Sequence, residues 1–269
     1  MFYDANGGKH VAYLKNESNN DSEIILSAGA IGSPQLLMLS GTGPADQLRS
    51  MGIKVVLDQP MVGLEMGDKP LNGLIVPYPN HIQLSLSTIV GIANSGKNYI
   101  LTFIGFDLSP FFVSGGDQPP QSSKAFREAA SNSTANIGFV PGTIRGPISK
   151  GYLQLQSTNA SDNPRVRFNY FQAAEDLSNC VHVNLRPKNP NATTSLEQYC
   201  IDTVMTLWHY HGGCRIGKVV DRDFKVFGVD GIRVIDASTF SFSPGTNPQA
   251  TVMMLGRSMG RRILQSRRS

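Results

Sequence analysis

Glu23-Ile-Ile-Leu-Ser-Ala-Gly-Ala-Ile-Gly-Ser-Pro-Gln-Leu-Leu-Met-Leu-Ser-Gly-Thr-Gly43 decides the fold class. Residues 23–28 are short, apolar and rich in β-branched side chains, the pattern of a buried strand in a parallel sheet. Residues 29–32 then turn the chain. Ser33 suits the cap of a helix and Pro34 its first position, where a missing N–H costs nothing. Residues 35–40 continue the helix, and the glycines at 41 and 43 stop it. Strand, glycine turn and capped helix form an α/β unit. Such a unit offers backbone N–H groups to a phosphate or cofactor edge. The spacing is not GxGxxG, and an ordinary strand-to-helix turn fits the same residues.

Upstream, residues 2–14 read as a hairpin turning at Asn6-Gly7-Gly8, with a strand over residues 11–14. Downstream, residues 46–52 give a short helix and residues 53–57 a strand. Residues 60–70 hold too much Gly and Pro for regular structure. From about residue 72 the texture changes. Residues 71–77, 82–90, 99–106 and 135–140 are strand-like, several with the alternation of an antiparallel sheet that has one wet face. Residues 109–123 are loop-like. Residues 146–157 and 163–170 form a second hairpin, and residues 181–199 read as irregular. Residues 232–236 are a buried strand ending in an acid. Pro248 opens a final helix, with Val252, Leu255, Met259 and Ile263 at core spacing. The expected architecture is α/β (α+β), with segments 1–60, 61–200 and 201–269, the middle one mostly antiparallel.

The 269 residues are 40% hydrophobic and 16% charged, a globular composition. The formal net charge is +4, much of it from Arg257, Arg261, Arg262, Arg267 and Arg268. Cations at a helix C-terminus are favourable on dipole grounds, and no aromatic residues interleave with them. This describes a solvated helix end and no nucleic-acid surface. No apolar run approaches the roughly 18 residues of a membrane span. The N-terminal residues lack a signal-peptide pattern. Five N-glycosylation sequons, at Asn16, Asn20, Asn132, Asn159 and Asn191, hint at a secreted ancestor. Of the three cysteines, Cys180 and Cys200 lie in a Pro/Asn-rich region. A bridge between them and three unrelated buried thiols are both compatible with composition.

Chemistry concentrates in Thr206-Leu-Trp-His-Tyr-His-Gly-Gly-Cys-Arg-Ile-Gly217 and Ser243-Pro-Gly-Thr-Asn-Pro-Gln-Ala-Thr251. In an extended segment His209 and His211 point to one side. With Cys214 they suggest zinc, but no fourth ligand stands at a familiar spacing. The Gly-Gly pair fits close backbone approach instead. His211 therefore reads as a packed polar residue and His209 as a functional one. Asn247 and Pro248 fit a helix cap and first turn. They equally fit a positive helix end aimed at developing negative charge. Asp236 fits a strand-end cap, and Ala237 beside it fits the approach of a cofactor to the backbone.

These residues resemble the glucose–methanol–choline (GMC) oxidoreductases, a family of FAD enzymes. Residues 29–43 are similar to the family's second signature, and residues 62–70 to one of its turns, with Lys69 where relatives usually carry Asn or His. Residues 208–214, 234–240 and 243–256 resemble the plant branch that holds mandelonitrile lyases and HOTHEAD-like proteins. The resemblance implies an FAD-binding domain joined to a substrate domain, and oxidation of a small-molecule alcohol. It implies His209 as catalytic base and Asn247 as the second active-site residue. Trp208, His209, Ala237, Pro248 and Gln249 would line the flavin, next to Asp236 and Asn247. It further implies a Cys180–Cys200 disulfide and passage through the secretory pathway. Lyases of this type generally have His where this chain has Asn247, which tilts the choice towards alcohol oxidation. The family's GxGxxG unit does not occur in these 269 residues, and a segment is shortened after Cys180. The FAD-binding domain is thus expected to be incomplete, and FAD affinity weak or nil. A hydroxynitrile lyase and a catalytically inactive, flavin-free fragment are the alternatives.

Overall fold

The structure is a computed structural model that describes residues 2–3, 8–14, 22–78, 89–92, 98–104, 136–183, 193–245 and 247–267. Strand β3 (Ile24–Leu26) runs parallel to β14 (Ile232–Val234), so residues more than 200 positions apart lie side by side. The expected parallel pairing is present, but the expected burial is not. Ile24 and Ile25 are each 46% exposed, because β14 is the one strand paired with β3 among the described residues.

Helix α1 follows over Gly29–Leu39, five residues earlier than the expected cap at Ser33 and first position at Pro34. Ser33 and Pro34 lie inside it. Ser33 does not cap the helix end, yet its hydroxyl does related work from within. It accepts the Ala28 N–H at 3.1 Å and donates to Asp236 Oδ2 at 2.6 Å. Pro34 is the sixth helical residue, past the four N–H groups that lack an intrahelical partner, so the helix forgoes one i→i−4 hydrogen bond there. Helix α2 (Ala45–Ser50) ends at Gly52, whose φ is +71°. The strand expected over 53–57 reduces to β5 (Leu57–Asp58), parallel to β4 (Thr42–Gly43).

A five-stranded antiparallel sheet occupies the middle of the chain, in the order β13-β7-β10-β9-β8. Its members are β7 (Pro70–Tyr78), β8 (Ile89–Ile92), β9 (Asn98–Ile104), β10 (Asn136–Ile144) and β13 (Met205–Thr206). Beside it, β11 (Gly151–Gln154) pairs with β12 (Arg165–Arg167) as the expected hairpin. It pairs on its other side with β6 (Leu64–Met66). That strand lies in the segment expected to be irregular; tertiary pairing overrides its Gly/Pro content. The N-terminal hairpin joins β1 (Phe2–Tyr3) to β2 (Lys9–His10) rather than to residues 11–14. The loop expected at 109–123 lies outside the described residues, as do residues 82–88 of the strand expected over 82–90.

Residues 181–199 contain parts of two helices that periodicity did not reveal, α3 (Ala174–Val183) and α4 (Leu196–Thr203). Helix α3 runs straight through the Cys180–Val181 junction. The two helices pack together and are joined by the Cys180–Cys200 disulfide, with Phe171 buried beside it. Helix α5 (Gln249–Ser266) places Met259 and Ile263 against Phe224 and Ile235, the spacing expected of it. The main core joins Leu37, Met38 and Leu48 of the helices to Met66, Leu153, Cys214 and Val234. No helix among the described residues is long and apolar enough to cross a membrane.

Candidate active site

The 205–216 segment is threaded between two others. On one side it follows residues 63–71. Met205 and Thr206 pair with Leu71 and Pro70, and Leu207 N–H donates to the Lys69 carbonyl at 3.2 Å. His211 exchanges two backbone hydrogen bonds with Gly67, at 2.8 and 2.9 Å. On the other side, Gly212, Cys214 and Ile216 donate to the carbonyls of Ala237, Ser238 and Thr239. The close approach signalled by Gly-Gly is therefore to protein. A Cβ on Gly212 would stand 2.1 Å from the Glu65 carbonyl oxygen, and one on Gly213 2.8 Å from Met66 Sδ. Both glycines also have φ near +90°, a region L side chains avoid.

His209 is held at both ends of its own backbone. Its N–H donates to Asp68 Oδ1 at 2.8 Å. The other Asp68 oxygen accepts the hydroxyls of Tyr170 and Thr206, each at 2.6 Å. At the opposite end, His211 Nδ1 lies 3.2 Å from the His209 carbonyl, and His211 Nε2 lies 3.0 Å from Lys150 Nζ. A neutral His211 satisfies both contacts if Nδ1 carries the proton and Nε2 accepts from the lysine. Burial, reinforced by Lys150, brings the His211 pKa down to about 3, so the ring is neutral at ordinary pH. His211 is thus a packed polar residue, as expected, and it braces its neighbour.

The His209 imidazole is half-buried, and its Nδ1 is sealed from solvent with no hydrogen-bond partner. An orphaned buried polar atom costs about 1–3 kcal/mol. Burial, and next the positive charge of Lys69, lower the His209 pKa to about 4. Beside it, Trp208 adopts φ +59° and is 51% exposed. A bulky residue in the left-handed region stores strain that the surroundings must hold in place. Here Thr206 Oγ1 accepts the Trp208 N–H at 2.9 Å, next to the Asp68 clamp.

Asp236 is buried and fully engaged. Oδ2 accepts Gly29 N–H at 3.0 Å and the Ser33 hydroxyl; Oδ1 accepts Ser238 N–H at 2.7 Å. It caps the short 3-10 helix Ala237–Thr239 and ties it to the start of α1. The strand-end-cap reading describes it. Asn247 is exposed and does not cap α5. Pro248 holds the cap position, Gln249 is the first helical residue, and no side chain caps the end. Proline has no side-chain acceptor to offer, so the first N–H groups of that helix receive no side-chain partner there. No hydrogen bond joins Asn247 to His209 among the described residues. The second stretch approaches the first through Lys69, whose ammonium donates to the Pro244 carbonyl at 2.6 Å.

Cys214 is buried, and burial pushes its thiol pKa well upward. Among the described residues no group of three His, Cys, Asp or Glu is placed to hold a metal. Asp68, Lys150 and Tyr170 were not singled out from the sequence as functional. Asp68 directly follows Gly67 in the family-like turn, the one local signal that could have found it.

Two models described as GMC oxidoreductase match the chain, over residues 5–71 and 182–256, more than half its length together. The chain is 40% identical to "Protein HOTHEAD" of Arabidopsis thaliana, over 99% of this chain and 54% of that protein. It is 35% identical to "(R)-mandelonitrile lyase 1" of Prunus serotina, over 99% of this chain and 50% of that one. Among solved structures, a formate oxidase of Aspergillus oryzae superposes with a TM-score of 0.70 at 19% identity, over 91% of this chain and 54% of the other. The chain belongs to the GMC oxidoreductase family. It spans about half the length of the curated relatives it matches.

Proposed function

We propose that this chain carries the catalytic half of an FAD-dependent oxidoreductase acting on the CH–OH group of a small-molecule alcohol. The observation that carries the reading is His209: a neutral imidazole, clamped through its backbone, with one nitrogen left unpartnered. Nδ1 is sealed within the protein, so the other ring nitrogen, beside a strained and exposed Trp208, is the one a bound group can reach. His209 takes the proton that leaves the alcohol hydroxyl. Asn247 donates an N–H to the resulting alkoxide oxygen. The uncapped start of α5 directs its dipole towards negative charge developing near it. Trp208, His209, Ala237, Asn247, Pro248 and Gln249 would line FAD, with Asp236 behind them holding Ala237 in place. FAD, when bound, supplies the hydride acceptor. The disulfide and the five sequons support a secretory location, where thiols oxidise and Asn-linked glycans are added.

A second reading, hydroxynitrile lyase, is favoured by the similarity to a mandelonitrile lyase. It calls for proton traffic to and from cyanide, which an Asn at position 247 cannot relay. A third is a chain that holds no flavin and performs no catalysis. The test is to purify the chain, add FAD, and follow flavin absorbance. A panel of alcohols is then supplied with an artificial electron acceptor, and mandelonitrile without one. Alcohol-dependent reduction of the acceptor, abolished by His209→Gln, supports the first reading. Cyanide release indifferent to acceptor replaces it with the second, and absence of flavin binding with the third.

A further inference from the structure

The largest fully buried side chain among the described residues is that of a lysine, Lys69. A buried ammonium is expensive unless something nearby uses or stabilises it. Its partners are specific. The Nζ donates to the Pro244 carbonyl at 2.6 Å, three residues before Asn247. Its own carbonyl accepts the Leu207 N–H, two residues before His209. Asp68, directly before it, holds the His209 N–H. One residue is thus bonded to both stretches that carry the site.

We propose that Lys69 is a positioning residue for the His209 site: it pins the Pro244 segment against the segment carrying His209 and sets a buried positive charge beside the imidazole. The proposal deepens the reading of His209 as a proton acceptor and rests on it for its functional meaning. A neighbouring cation opposes protonation of the ring, so His209 stays in its unprotonated form well into acid while its pull on a proton weakens. Lys69 also offers positive charge where an alkoxide forms. Burial, and next Arg145, lower the Lys69 pKa to about 8, while Asp68 raises it; the charge is therefore present at neutral pH and lost in mild alkali. The other charged or titratable groups around His209 act from behind its backbone. Asp68 receives its N–H, and His211 with Lys150 supports its carbonyl.

NMR titration of the His209 ring in the complete chain, with no flavin added, tests the idea. The parent is expected to titrate near pH 4 and to show a second, smaller inflection near pH 8 as Lys69 loses its proton. In Lys69→Met the lower midpoint moves up, short of the ordinary 6.5 because burial persists. Lys69→Arg, which keeps the charge, holds it down. Amide exchange at Gly245 and Asn247 quickens in the Met variant and less in the Arg variant. An unchanged midpoint in Lys69→Met, or equal shifts in both variants, overturns the proposal. So does a parent curve without the alkaline inflection, a measurement that needs no variant to fold. These readouts are independent of turnover. A chain that oxidises no alcohol but shows the shifts leaves Lys69 in this role and removes only the assigned reaction.

Discussion

Asp68 and His209, 141 positions apart, are joined by a hydrogen bond from the His209 backbone N–H to the Asp68 carboxylate at 2.8 Å. The same carboxylate gathers the Tyr170 and Thr206 hydroxyls, so one buried acid fixes the segment that carries the imidazole. Burial pushes the Asp68 pKa up, and these hydrogen bonds pull it back. Asp68→Ala leaves four donors without their acceptor, the Tyr170 and Thr206 hydroxyls and the backbone N–H groups of Lys69 and His209. We expect a loss of about 3 kcal/mol or more in urea unfolding, since hydrogen bonds to charged groups contribute about 1.5–3 kcal/mol each. Asp68→Asn keeps the shape and lets the hydroxyls turn, so its cost is about 1 kcal/mol. Faster amide exchange at His209 accompanies both. A neutral effect of Asp68→Ala would show that the clamp is incidental.

Gly212 makes a separate prediction. Its φ of +84° is open to few residues but glycine, and an added Cβ would meet the Glu65 carbonyl at 2.1 Å. The contact is with backbone, so no rotamer relieves it. Gly212→Ala is expected to cost roughly 2–4 kcal/mol through strain and displacement of β6. Gly52→Ala serves as a control, because its φ is also positive, at +71°, but no atom lies within 4 Å of its Cβ. It should lose only about 1 kcal/mol of backbone strain. Equal thermal shifts for the two would mean that the contact with Glu65 is unimportant.

What was legible in the sequence follows from the range of the interactions involved. The β3–turn–α1 unit, the β11–β12 hairpin, the antiparallel strands and the face of α5 are written in local periodicity. The boundaries of α1 were misplaced because Ser33 serves a distant acid, Asp236, and Pro34 is tolerated inside the helix; neither fact is local. Strand β6 and helices α3 and α4 were missed for the same reason. Their order comes from β11, from the Cys180–Cys200 bridge and from burial against the sheet. At the candidate site, the sequence singles out His209 by its company of Trp208 and the glycines. Asp68, Lys69 and Lys150 act on it from more than 50 positions away, and spacing along the chain carries no trace of that.

The Cys180–Cys200 bridge closes a loop with a sequence separation of 20. Its removal, by reduction or as the paired Cys180→Ser and Cys200→Ser variant, is expected to cost about 3 kcal/mol. The effect should centre on α3 and α4, which it joins. Cys214 is fully buried, so the native chain should react with no thiol reagent, the unfolded chain with one equivalent, and the unfolded, reduced chain with three. A native thiol titre above zero would contradict this arrangement.

Acid should destabilise the fold before its carboxylates are protonated. The pKa values of His209 and His211 are lowered to about 4 and about 3 from 6.5. Between those values and 6.5 the unfolded chain binds protons that the folded chain refuses. Stability must then rise with pH across this window and level off above it. By pH 5 the fully buried His211 accounts for a loss of about 2 kcal/mol relative to pH 7.5. His209 accounts for less, since its exposed side is screened. Glu23 adds a loss at lower pH, because hydrogen bonding to Arg233 holds its carboxyl below the usual range. Urea midpoints measured from pH 7.5 down to pH 5 isolate the imidazoles from that carboxylate. His211→Gln is expected to start from a lower stability and to flatten the slope. A midpoint that stays constant from pH 7.5 to pH 5 would mean that His211 is not held neutral, and the brace from Lys150 to the His209 carbonyl would lose its basis.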